Sequence, residues 1–170
     1  MNKHPVRCLV LACGNTLRSD DGVGPWLAAW AEERFRTQND VRVLSRQQWT
    51  PELAEEIARV ESVLFIDCAA DSEPGLIRLV PVEPATGTQG SATHHLGAAE
   101  LLGLGRELYN SLPCNALLLT IGAGSTELGE GFSDAVKAAL PEACSLLEAT
   151  ALRLLGGPEL PQPAHQEQNN

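Results

Sequence analysis

Residues 7–24 read RCLVLACGNTLRSDDGVG, and the fold is decided in this stretch. Arg7 to Ala12 is an apolar run of strand length, and a polar loop follows it directly. Pro25 then opens a helix, a position that suits proline because its missing N–H has no partner to lose there. Val23, Leu27, Trp30 and Ala31 recur at helical spacing and form that helix's inward stripe. A strand that passes through a loop into a helix is the first half of a β-α-β unit, so the next strand is expected to run parallel to the first.

The same alternation continues along the chain. Val41 to Leu44 is a second strand, and Thr50-Pro51-Glu52 reads as cap, proline start and first-turn acid of a short helix with Leu53, Ile57 and Val60 inward. Ser62 to Ile66 is a third, wholly apolar strand that ends in Asp67. Pro74-Gly75 turns the chain into a fourth strand, Leu76 to Val80, whose short connection permits antiparallel pairing. From Pro81 to Thr93 the composition is Pro, Gly, Ser and Thr without periodicity, which predicts an exposed, mobile loop delivering His94. A helix from about His94 to Asn110 follows, carried by Leu101, Leu104 and Leu108 and weakened by Gly97, Gly103 and Gly105. Ala116 to Ile121 is the last strand, and Ser133 caps a final helix that includes Val136, Leu140, Cys144, Leu147 and Leu154 and that Pro141 is expected to kink. The expectation is a single α/β domain over residues 1–155, a twisted, mostly parallel sheet of about five strands with helices on both faces. Residues 156–170 have little to bury and read as a disordered tail.

Composition narrows the function classes. The 170 residues are 44% hydrophobic, enough for one core. A formal net charge of −10 repels phosphate backbones and anionic headgroups, which argues against nucleic acid and membrane partners. No stretch approaches the roughly 18–20 unbroken apolar residues that span a bilayer. Five cysteines, Cys8, Cys13, Cys68, Cys114 and Cys144, form no C-x-x-C pair, which fits a reducing, cytoplasmic setting. Cys13 and Cys68 lie at strand ends and could make a soft metal or redox site, although a buried cysteine more often acts as a small hydrophobe.

The loop after the first strand resembles a nucleotide-binding loop only in part. Glycines stand at 14, 22 and 24, but residue 12 is alanine, and the acids Asp20 and Asp21 would repel a pyrophosphate. Asp20 reads as a solvated residue of a turn before a helix, favoured there by the helix dipole. Asp21 reads as a site residue. Asp67 stands where the carboxyl ends of parallel strands open into a ligand crevice, with bracing of the next loop as its alternative role. His94 and His95 alone are a weak metal signal. First and third strands of such sheets are commonly neighbours, however, so two carboxylates and an imidazole could converge in one crevice and suit a borderline ion such as zinc or nickel.

Together these residues resemble the hydrogenase maturation protease family, whose first loop has the form G-x-G-N-x-L-x-x-D-[DE]-G-x-G and stands here as ACGNTLRSDDGVG. The resemblance continues through VLFIDCAADSEPG, THHLGAAELL and IGAG, in collinear order over roughly residues 7 to 150. It implies that Asp21, Asp67 and His94 contact nickel and carry the chemistry. The nickel belongs to the substrate, a hydrogenase large-subunit precursor whose C-terminal extension is removed, so no permanent cofactor is implied. Ala12 in place of the loop's first glycine, the added thiol of Cys13, RQQWTPEL in place of a D-G-G-T-x-G-like turn, and Gly122-Ala123-Gly124 in place of a proline-containing loop depart from the family pattern. A non-cleaving nickel sensor or chaperone for the same precursor is the main alternative, and a Rossmann-like nucleotide binder the second.

Overall fold

The computed structural model describes residues 5–86 and 96–156. Among the described residues five strands form one sheet in the order β2-β1-β3-β5-β4. These are β1 (Cys8–Cys13), β2 (Val41–Arg46), β3 (Ser62–Ala69), β4 (Ile77–Pro81) and β5 (Asn115–Gly122). β1, β2, β3 and β5 are parallel, while β4 closes one edge antiparallel to β5. The helices are α1 (Val23–Arg34), α2 (Leu53–Ala58), α3 (Ala98–Tyr109) and α4 (Asp134–Gly156). No helix among the described residues is long and apolar enough to cross a membrane.

Strand alternation sorts the core into two layers. Val10, Ala12, Leu64, Ile66, Leu119 and Ile121 point to the face covered by α1 and α4. Leu9, Leu11, Cys13, Val63 and Phe65 point to the face covered by α2 and α3. Leu9, Val10 and Leu11 are all fully buried, each worth about 1.5–3 kcal/mol relative to exposure. That two-sided burial explains why β1 is a continuous apolar run rather than an alternating one.

Most expected elements are present, with informative shifts at their ends. α1 begins at Val23, so Pro25 lies within its first turn, where the N–H groups lack helical partners in any case. Val23, Leu27 and Ala31 are buried as expected, with Trp30 packed at the edge of that core. α3 starts at Ala98, after an extended Gly97, rather than near His94. Its inward face is Ala98, Leu101, Leu102 and Gly105, and Leu108 is exposed. Leu101 is buried as expected, but the rest of the inward face is turned away from Leu104 and Leu108 toward Leu102 and Gly105, where a Cβ would stand 3.7 Å from the Ala54 carbonyl oxygen of α2. α4 runs continuously through Pro141 to Gly156. The expectations for 87–93, for His94 and His95, and for the tail from 157 onward fall outside the described residues.

Strand β3 is longer than its apolar run. Its pairing with β1 ends at Ala12–Ile66, whereas its pairing with β5 continues to Ala69–Gly122. Asp67 therefore lies inside β3, opposite Thr120, just past the point where the pairing of β1 with β3 ends. This divergence opens a crevice beside Asp67.

Candidate active site

A cavity of about 690 Å³ occupies that crevice at the carboxyl ends of the parallel strands. Asp21 and Asp67 both line it, with Gly14 and Asn15 from the first loop, Gln47, Gln48 and Trp49 after β2, Thr126 after β5, and Leu96 and Gly97 before α3. Two acids that are 46 positions apart thus share one wall because β1 and β3 are neighbours. His94 is outside the described residues, but the chain re-enters the described structure at Leu96 on the cavity wall.

The loop geometry that presents Asp21 depends on two glycines. Gly14 has φ +146°, and a Cβ there would stand 2.0 Å from the Asp21 carbonyl oxygen. At Gly24 a Cβ would stand 2.2 Å from the Cys13 carbonyl oxygen, so the start of α1 packs directly on the end of β1. Ala12, by contrast, is a fully buried strand residue paired in register with Ile66, so the core accommodates its methyl group at the position where the family pattern has glycine. Asn15 N–H donates to Asp21 Oδ2 at 2.7 Å, which orients that carboxylate.

Asp67 is oriented from its own strand and from β1. Its Oδ1 accepts the Cys68 N–H at 2.8 Å and the Cys13 thiol at 3.2 Å. Both Cys13 and Asp67 belong to the α2/α3 face by strand parity, which is why the thiol reaches the acid. Burial, followed by the Asp67 charge and its hydrogen bond, raises the Cys13 pKa well above the ordinary thiol range. Burial and then the charges of Asp21, Asp67 and Asp20 push the Cys68 thiol up to about 12. Burial and the neighbouring carboxylates thus keep both groups in the thiol form at neutral pH, so neither is a ready nucleophile. At pH 8 an alkylating reagent is expected to modify the exposed Cys114 and spare Cys13 and Cys68; peptide mass mapping showing rapid labelling of either would contradict this environment.

Asp20 differs from its sequence reading. It is fully buried, not solvated. Its Oδ1 accepts Ser133 N–H at 2.7 Å, and its Oδ2 accepts Gly124 N–H at 2.7 Å, Ser125 N–H at 3.0 Å and Ser133 Oγ–H at 2.8 Å. Burial alone would raise its pKa, but these four donors outweigh burial and lower it from the ordinary 3.8. The sequence separated Asp21 from Asp20 but could not show that Asp20 is buried, because the donors that satisfy it lie more than 100 positions away. Gln47, Gln48 and Trp49 were legible only as a departure from the family turn, and Thr126 carried no signal.

No family model matches the chain. The hydrogenase 2 maturation protease of Escherichia coli (strain K12) is 27% identical over 163 residues, covering 94% of this chain and 98% of that protein. Among solved structures, the crystal structure of a [NiFe] hydrogenase maturation protease, HycI, from Thermococcus kodakarensis KOD1 is 26% identical with a TM-score of 0.65, covering 89% of this chain and 94% of that one. The hydrogenase maturating endopeptidase HybD from E. coli shares the fold with a TM-score of 0.71 at 22% identity, over 88% of this chain and 94% of that one. Sequence likeness along nearly the whole chain, the shared fold and the loop motif on the cavity wall agree, and they make this chain similar to the hydrogenase maturation proteases.

Proposed function

We propose that this protein is an endopeptidase that removes the C-terminal extension of a nickel-loaded hydrogenase large-subunit precursor, using Asp21, Asp67 and His94. The observation that carries the reading is the convergence of Asp21 and Asp67 on one open cavity whose wall is continued by Leu96, two residues after His94. The similarity to proteins named as maturation proteases supports the reaction class.

In this reading the nickel arrives with the precursor as part of the substrate. Asp21, Asp67 and His94 complete its coordination, which fixes one peptide bond in the cavity. Asp67 or Asp21 accepts a proton from water, and the hydroxyl oxygen attacks the scissile carbonyl, polarised by the nickel. The C–N bond then breaks and the leaving amine takes up the proton. The protein holds no permanent cofactor, and its unpaired cysteines suit a reducing cytoplasm. Gln47, Gln48 and Trp49, which line the cavity where the family turn differs, contribute to the choice of precursor.

Incubation of the purified protein with one precursor, with and without nickel, tests this directly. Mass spectrometry is expected to show a shortened large subunit only in the nickel-loaded sample. A stable complex without any shortened product would favour the non-cleaving binding module instead.

A further inference from the structure

We propose that Asp20 is a positioning residue that clamps the Asp21 turn to the loop between β5 and α4, and thereby sets the cavity's geometry; its catalytic consequence rests on the peptidase reading above. Asp20 forms no part of the cavity lining, yet it is a fully buried carboxylate. The donors that satisfy it come from Gly124, Ser125 and Ser133, more than 100 positions away. A buried anion without such donors would be strongly unfavourable, so the two loops are held together by its solvation requirement.

The turn it anchors also shows that it is held in place. Ser19 has φ +49°, a left-handed conformation that is unfavourable for a non-glycine residue and is kept only when its surroundings impose it. The surroundings here are the same distant loop. Ser19 N–H donates to Gly129 O at 2.8 Å, Ser19 Oγ–H donates to Glu127 O at 3.0 Å, and Gly129 N–H returns to Leu17 O at 3.0 Å. Asp20 N–H itself donates to Ser125 O at 3.0 Å. Asp21, the next residue, and Thr126, the residue after Ser125, both line the cavity. One carboxylate therefore fixes a site acid and the Thr126 segment of the lining relative to each other.

Only a carboxylate suits this position. Asparagine has similar size, but its NH₂ group must face N–H donors on one side or the other, because both oxygens of Asp20 accept from backbone. In Asp20→Asn, hydrogen exchange followed by mass spectrometry is expected to show residues 14–22 and 123–133 losing protection together while β1 and β3 keep theirs. With nickel-loaded precursor, kcat per folded molecule is expected to fall by about 10²-fold, with KM changed by less than about twofold, as for a misplaced catalytic group. Unchanged protection of 14–22, or an unchanged kcat, overturns the proposal. If Asp20→Asn does not fold, Ser133→Ala removes one of the four donors and should give the same paired loss of protection in weaker form; its absence overturns the clamp. A wild-type protein that leaves the precursor uncut defeats the peptidase reading alone, and exchange then decides the clamp by itself.

Discussion

Asparagine in place of Asp67 is expected to lower cleavage of the nickel-loaded precursor by about 10²–10⁴-fold, the range for loss of a general base. The fold should survive, because asparagine keeps the shape and an acceptor for the Cys68 N–H and the Cys13 thiol. Two measurements on the same variant separate the roles open to this residue. If Asp67→Asn still forms a complex with the precursor in a gel-shift assay but gives no shorter product, the lost function is proton transfer. If complex and product disappear together, the lost function is contact with the substrate's nickel. Cleavage at the wild-type rate removes Asp67 from the chemistry altogether.

Gly14→Ala is expected to be the most damaging single methyl group in the first loop. Its φ of +146° excludes L side chains, and the new Cβ would fall 2.0 Å from the Asp21 carbonyl oxygen and 3.0 Å from Pro25 Cδ. Backbone strain and overpacking each cost about 1–3 kcal/mol, so a destabilisation of about 3 kcal/mol or more follows. For a chain of this size that is a melting temperature lower by roughly 6–12 °C. Relief of the clash also has to move the Asp21 turn, so activity should fall even well below the melting temperature. A variant with wild-type stability and activity would falsify the loop geometry described here.

The resemblance to hydrogenase maturation proteases was legible in the sequence because its signals are local. The apolar run of β1, the spacing of Gly14, Gly22 and Gly24, and the acid at the end of VLFI are each fixed by a few neighbouring residues. The same holds for the inward stripe of α1, where Val23, Leu27 and Ala31 face the core as their spacing required. The stripe of α3 was legible only in part: Leu101 is buried as expected, whereas Leu104 is half-buried, Leu108 is exposed, and Leu102 and Gly105 complete the inward face.

By itself, the sequence determined the alternation of strands and helices, the doubly covered parallel sheet, and the identity of Asp21 and Asp67 as candidates, because periodicity and turn chemistry act over a few residues. Only the tertiary structure decided that Asp20 turns inward while Asp21 faces the cavity. Their difference lies in donors supplied by Gly124, Ser125 and Ser133, which approach only after β5 and α4 have packed. The divergence of β1 from β3 beyond Ile66, which makes room for a substrate beside Asp67, is likewise a property of strand pairing and not of any one segment.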